Sequence, residues 1–237
     1  MVDDSESDRA KRSFADPGPY LLNNPYIALR ARAIRRMLPI ISPKSVLDLG
    51  CGDGSISIPL IGGTDELLLI DASRGMLELA LQNLPPTIVD RVQYQCTDVA
   101  AFQPAKQFDV VLCIGLLAHI PDTQALFQLV SRCVAPKGCA LLQFTDDSFF
   151  FGRAAHWLGA VRGRFFNSEA YALNRMTSED VRSGMAAHGF QMTTSYRYAF
   201  LPGVRRLPPQ ITRAIVNLAG RKPIANWGGE VIAAFSR

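Results

Sequence analysis

Three carboxylates and a glycine turn stand at spacings that would let them act on one ligand. In VLDLGCGDGSISIPL, Val46 to Leu60, Asp48 precedes Gly50, Gly52 and Gly54, and the turn also holds Cys51 and Asp53. Asp71 follows the apolar run ELLLI, and Asp98 follows RVQYQC. Alternate glycines after an apolar run either make a tight strand-to-helix turn or let the backbone approach a ligand closely. A carboxylate at the tip of a second strand can accept hydrogen bonds from two vicinal hydroxyls, as in a ribose. Asp98, ending a third strand, can accept from an exocyclic amino group such as that of adenine. Asp48 would lie beside three exposed backbone N–H groups of the turn. The spacing is G-x-G-x-G, closed by Asp53, and an acid there repels a pyrophosphate but tolerates a cation. An adenosine carrying a sulfonium and an ammonium meets these demands; a nicotinamide oxidoreductase using the turn at Gly50 for a pyrophosphate is a further reading, which the glycine spacing and Asp53 count against. Each acid also has a structural reading: Asp48 as a turn tie, Asp71 as a helix N-terminal acid, Asp98 as a strand-end turn residue. Their convergence on one edge favours a pocket.

The elements that must position these residues alternate between short apolar runs and helical segments from Lys44 to Gln143. SVLDL, ELLLI, RVQYQC, FDVVLCI and CALLQF read as five strands. A helix is expected to begin over Ser55 to Ile61, a second is capped by Ser73 and stopped by Pro85 and Pro86, and IPDTQALFQLVSRCV makes a third. Short links between strand and helix predict an α/β fold with a doubly wound, mostly parallel, seven-stranded sheet. Its strand ends would share one ligand-binding edge. Upstream, NPYIALRARAIRRML forms an amphipathic helical N-terminal cap, with Ile27, Ala31, Ile34 and Leu38 on its apolar face. Downstream, Asp146 to Asn174 is aromatic and arginine-rich and resembles an inserted cap after the fifth strand. A helix at SEDVRSGMAAHGF, a sixth strand near Met192 to Tyr198, a helix over Pro209 to Ala219 and a last strand EVIAAFSR complete the chain. The expected layout is a disordered tail over 1–16 and one domain over 17–237. The cofactor-binding core is 44–145, with substrate-side elaborations at 146–176 and 199–228.

VLDLGCGDG, IDAS, TDVAAF and FDVVLCIGLLAHIPD, in this order and spacing, resemble the motif series of the Rossmann-like, class I S-adenosylmethionine-dependent methyltransferases of small-molecule type. The resemblance covers about residues 44 to 145. It implies S-adenosyl-L-methionine as cofactor, with Asp48, Gly50, Cys51, Gly52 and Gly54 lining its methionine part. It further implies that Asp71 and Ala72 meet the ribose, that Asp98 and Val99 flank the adenine, and that Ile114 and Gly115 close over the cofactor. Arg30 or Arg32, on a helix that folds over the cofactor in similar enzymes, is expected to meet the methionine carboxylate, the alternative being a solvated arginine face.

Methyl transfer from a sulfonium is a direct displacement, so the protein supplies alignment, burial and sometimes a base. His119, in GLLAHIPD, is the candidate catalytic base, against the alternative that it only packs or caps the next helix. Some quinone-pathway O-methyltransferases place an acid just before this histidine in a metal-assisted site; Ala118 stands here instead, and no metal is expected. Asp146 and Asp147 are further candidates to face the acceptor. The expected reaction is methylation of an oxygen or nitrogen of a small metabolite, aromatic or anionic. The alternatives are a lipid-like or carrier-bound acidic substrate, or a cofactor-binding protein without turnover.

Charge supports the anionic options. Residues 1–148 hold 13 Lys and Arg against 17 Asp and Glu, and residues 149–237 hold 12 against 4. The second half is therefore suited to a carboxylate, a phosphate or an anionic carrier or surface. No apolar run approaches the ~20 residues of a membrane span. The polar N-terminus and five unpaired-looking cysteines fit a reducing cytoplasm. Nucleic acid is disfavoured as a partner because no Asn-Pro-Pro-Tyr-like motif follows the fourth strand. Homo-oligomerisation stays open.

Overall fold

Apolar residues at consecutive strand positions decide the architecture, because a strand buried on both faces needs cover on both. The computed structural model describes residues 26–38, 43–63, 66–148, 174, 176–198 and 207–237. The expected tail, the aromatic–arginine stretch 149–173 and residues 199–206 lie outside them. Seven strands, β1 (Ser45–Leu49), β2 (Glu66–Asp71), β3 (Val92–Cys96), β4 (Phe108–Cys113), β5 (Val134–Thr145), β6 (Gln191–Tyr198) and β7 (Glu230–Ser236), form one sheet. Its order is β3-β2-β1-β4-β5-β7-β6. β1 pairs in parallel with β2 and β4, while β7 runs antiparallel to both β5 and β6. The order reverses at β1 and β4, which opens a crevice above their carboxyl ends.

Alternation along the strands divides two apolar layers. Val46, Leu67, Leu69, Val110, Leu112 and Leu141 face α1 (Ile27–Met37), α2 (Arg74–Gln82) and α5 (Pro209–Ala219). Leu47, Leu49, Val111, Ala140 and Leu142 face α3 (Thr123–Cys133) and α4 (Ser178–Ala186). The sheet is thus doubly wound. Side-chain oxygens of Ser73, Asp122 and Thr177 cap α2, α3 and α4 by accepting backbone N–H groups, which satisfies donors that a helix start otherwise leaves unpaired.

Three local expectations are corrected. The segment after the glycine turn is not an α-helix: Ser55–Ser57 are turns and Ile58–Gly63 a 3-10 helix. Pro59 lacks the N–H needed to extend the ladder, and Gly62–Gly63 favour no helix. On α1 the buried residues are Leu29, Ala33, Ile34 and Met37, not the stripe Ile27, Ala31, Ile34 and Leu38. The helix ends at Met37, so Leu38 never completes that stripe, and Tyr26, fully buried, anchors its start instead. β5 begins at Val134, because Val134 pairs with Phe108 before a register shift brings Cys139 opposite Val110.

α3 and α4 meet at Gly184, where a Cβ would stand 2.4 Å from Cε2 of the fully buried Phe127. Helix propensity alone would make Gly184→Ala stabilising by about 1 kcal/mol. The overlap dominates, and the substitution is expected to destabilise by roughly 1–3 kcal/mol. A lower urea midpoint checks this; a raised one would mean that the α3–α4 contact has room to open.

Candidate active site

The site is built where the β1 and β2 strands end together. Leu49 pairs with Ile70, and the next carbonyl requirement is met across the strands: the N–H groups of Gly50 and Cys51 donate to Ile70 O at 2.8 and 3.0 Å. Asp71 then joins the two turns, Oδ2 accepting from Gly52 N at 2.8 Å and Oδ1 from Ser73 N at 2.8 Å. Gly54 N donates to Cys51 O at 3.0 Å. The expectation of three exposed turn N–H groups beside Asp48 is therefore corrected: those of Gly50, Cys51, Gly52 and Gly54 already donate within the protein. A phosphate would find no ready-made anion cradle in them.

Gly50, Gly52 and Gly54 have φ of +72°, +55° and +71°, which side chains rarely adopt. The glycines nonetheless serve different ends. At Gly54 a Cβ would stand 2.4 Å from Ile58 Cδ1, so the requirement is internal packing. At Gly52 no atom lies within 4 Å of a Cβ, and the residue lines the cleft. Gly115, also at positive φ, lines the cleft with the same clearance. Two glycines thus open space for a ligand.

The cleft has a volume of about 570 Å³. Its walls bring together Gly50, Gly52, Asp71, Ala72, Asp98, Val99, Ile114, Gly115 and His119. Asp48, Cys51 and Gly54 stand behind this wall, and Arg30 is not part of it. Instead Arg30 Nε donates to Tyr198 Oη at 2.8 Å, and its guanidinium lies 5.9 Å from the ring centroid. Tyr198 also accepts from Gln143 Nε2 at 3.0 Å, and Gln143 donates in turn to Glu230 at 2.9 Å. This buried network fixes α1 to β5, β6 and β7.

The sequence did not reveal how far the cleft extends. Beyond Asp98 it continues over Phe102, Leu126 and Leu129 to Gln103 and Arg132. The apolar periodicity of Leu126 and Leu129 signals a packed helix face, and nothing in the spacing shows that part of it is left uncovered. Asp98 caps the short 3-10 turn after β3, accepting from Ala100 N at 2.9 Å, and still lines the cleft. Its structural and ligand-facing readings are compatible.

Charge around the turn is strongly negative. Asp48 is only 2% exposed, and burial pushes its carboxyl up to about 7. Asp71 and Asp53 push it the same way, whereas Ser57 eases it down. The Ser57 relief exceeds the push from either neighbouring acid but not the effect of burial. Burial also raises the Asp71 pKa, against the N–H bonds from Ser73 and Gly52 that favour its ionised form. A cation placed here would be stabilised by Asp71 and Asp53, and would favour the ionised form of Asp48.

His119 sits on a 3-10 turn, Leu117–His119, and burial lowers its pKa, keeping the imidazole neutral at neutral pH. Asn174 fixes this turn from both sides: its N–H donates to Ala118 O at 2.8 Å and its Nδ2 donates to Ile120 O. This contact spans more than fifty residues and has no signature in the sequence. Asp146 proves to be a structural tie. It is 1% exposed and accepts from Arg197, from Ser148 Oγ at 2.6 Å and from Ser178 Oγ at 2.6 Å. Although burial opposes ionisation, these bonds hold its pKa down at about 2, which removes it as a general base. Among the described residues no group of three or more His, Cys, Asp or Glu could hold a metal ion.

The Asp48 shift fixes the sign of a pH effect. The unfolded carboxyl ionises near 3.8 and the folded one near 7. The ligand-free fold therefore loses stability through this group as pH rises across that window. Urea midpoints taken at about pH 5 and about pH 8 should fall more for wild type than for Asp48→Asn. Equal changes would show that the carboxylate is solvated in the fold.

Comparison with known proteins places this geometry. A family model described as a methyltransferase domain matches residues 24–195. Trans-aconitate 2-methyltransferase of Methylobacterium nodulans is 32% identical over 112 residues, 46% of this chain and 42% of that protein. Ubiquinone biosynthesis O-methyltransferase of Coxiella burnetii is 29% identical over 132 residues, 55% of this chain and 54% of that protein. The chain thus spans about half the length of the curated relatives it matches. Two solved structures share the fold at 15% identity. N-methyltransferase NodS of Bradyrhizobium japonicum, with S-adenosyl-L-homocysteine, superposes over 98% of each chain with a TM-score of 0.65. Magnesium protoporphyrin IX methyltransferase of Synechocystis, also with S-adenosyl-L-homocysteine, gives 0.66 over 98% of this chain and 99% of that one. The matched domain contains the glycine turn, the three acids and the His119 turn, and the chain belongs to the methyltransferase-domain family, with the Rossmann-like fold of the class I S-adenosylmethionine-dependent enzymes.

Proposed function

We propose that this chain transfers a methyl group from S-adenosylmethionine to an oxygen or nitrogen of a small acceptor. The observation that carries the reading is the open ground in front of Gly52 and Gly115, framed by the Asp71 and Asp98 carboxylates. An uncharged or anionic nucleotide would gain nothing from their charge, whereas a sulfonium and an ammonium would. Asp71 is placed to accept from ribose hydroxyls with the lone pairs its two N–H bonds leave over. Asp98 and Val99 frame the adenine, and Ile114 with Gly115 covers it. A bound cation favours the ionised form of Asp48, which then acts as a counter-charge from behind the wall. Arg30 is committed to Tyr198, and its part in holding the methionine carboxylate requires that both contacts coexist.

Bound in this cleft, the cofactor supplies an electrophilic methyl group on a positively charged sulfur. The remaining work falls to the chain's own residues. Val99, Leu116 and Ile120 exclude water around the reacting atoms, and the His119 imidazole, neutral at working pH, accepts the proton that the acceptor oxygen or nitrogen gives up. Asn174 holds the His119 turn in register. The names of the matched relatives, which include O-methyltransferases and an N-methyltransferase, support a small-molecule acceptor on either element. The layout supports one catalytic domain, with acceptor specificity in the segment that follows β5.

Calorimetric titration with S-adenosylhomocysteine, with NADH in parallel, tests the cofactor. Binding of the former alone is expected, weakened at least about tenfold in Asp71→Ala, which loses one charge-assisted contact set. Preference for NADH would end the proposal. His119→Gln is expected to lower kcat by about 10²–10⁴ with cofactor affinity retained. The wild-type rate should reach its plateau with an apparent pKa below about 6.5, since burial lowers the imidazole from that ordinary value. An unchanged kcat in the variant would reduce His119 to packing.

A further inference from the structure

The α1 and α5 helices cover the same face of the sheet and touch at the C-terminal end of α5. They meet at Gly220, where a Cβ would stand 2.7 Å from Leu29 Cδ1 of α1. Tyr196 Oη donates to Gly220 O at 3.1 Å at the same junction. Burial raises the Tyr196 pKa, and Arg32 and Arg36 of α1 pull it back, so those guanidinium groups stand close to the end of α5.

This surface is both apolar and basic. Val216 and Ala219 of α5 point into the core, but Ile211 and Leu218 are 49% and 51% exposed. Seven residues apart, they share one side of the helix. The following 3-10 turn, Ile224–Trp227, adds Ile224 at 36% and Trp227 at 58% exposure. Arg32 and Arg36 on α1, and Arg221 and Lys222 just after α5, are exposed as well. Neither α1 nor α5 contains an acid, and residues 181–229 carry seven Lys and Arg with no Asp or Glu. Glu230, next in sequence, is turned inward to Gln143 and Thr145.

Charge selects the occupant. A second copy would set guanidinium against guanidinium, and a neutral protein would leave the cations uncompensated. A bilayer interface bearing anionic headgroups takes both features at once, since apolar side chains sink to the acyl boundary while Lys and Arg stay among the phosphates. We propose that the α1–α5 face docks on an anionic lipid surface, with Ile211, Leu218, Ile224 and Trp227 entering the interface and Arg32, Arg36, Arg221 and Lys222 meeting the headgroups. The association is peripheral, because no helix among the described residues is long and apolar enough to cross a membrane. None of these residues lines the acidic cleft.

Sedimentation of the full chain with vesicles tests this. Vesicles of phosphatidylcholine with about 30% phosphatidylglycerol are expected to capture the protein, and vesicles of phosphatidylcholine alone to leave it in solution. Raising salt from about 0.05 M to about 0.5 M should release most of it. Leu218→Asp and, separately, the combined Arg32→Gln, Arg36→Gln and Arg221→Gln variant should each weaken partitioning about tenfold or more. The salt and vesicle comparisons use wild type alone, so they stand even if one variant fails to fold. No capture by anionic vesicles, or equal capture by neutral ones, overturns the proposal. So does a concentration-dependent dimer that Leu218→Asp abolishes, which would give this face to a second copy.

Discussion

One carboxylate organises the candidate site. Asp71 closes β2 and accepts a backbone N–H on each oxygen, from the β1 turn at Gly52 and from the start of α2 at Ser73. These two bonds fix the relative height of the two loops that border the crevice. Much else depends on that height: the open space before Gly52, the placement of the short helix after β1, and the separation between Asp71 and Asp98. A carboxylate tying two turns is also a carboxylate with its orientation settled in advance. That is the preorganisation a ligand contact needs, because little ordering entropy remains to be lost on binding.

Electrostatically the chain is two objects. The acids of β1, β2 and the glycine turn are crowded enough that burial keeps one of them, Asp48, protonated up to about pH 7. The other object is the arginine-rich face of α1 and α5, almost without compensation. The buried Arg30–Tyr198–Gln143–Glu230 network stands at the inner side of that face and joins α1 to the far strands. It gives one arginine of α1 an internal partner while its neighbours Arg32 and Arg36 remain outside.

The strands were legible in the sequence because burial on both faces leaves continuous apolar runs such as FDVVLC and EVIAAF, bounded by Gly, Pro and Asp. The helix caps at Ser73 and Asp122 were legible because their chemistry is local. The glycine turn, Asp71 and Asp98 were placed on one edge by strand order alone. What stayed hidden depends on contacts between distant segments. The donation of the Gly50 and Cys51 N–H groups to Ile70, the grip of Asn174 on the His119 turn, and the capture of Arg30 by Tyr198 leave no local pattern. The α1 face was misjudged for a related reason. Several stripes of an Ala- and Ile-containing helix are similarly apolar, and the choice among them is made by what the sheet presents.

The position of β7 has a consequence for biosynthesis. β5 and β6 do not touch as neighbours; β7 lies between them and pairs with both. Yet β7 follows both in the chain. While the polypeptide is being made, β1 to β5 and their helices can assemble in order of emergence, but β6 has no partner on the growing edge until Glu230–Ser236 has left the ribosome. Until then β5 presents an unprotected edge. A ribosome that pauses late would therefore display a nearly complete cofactor half beside an exposed strand, the species most open to mispairing or to capture by a chaperone.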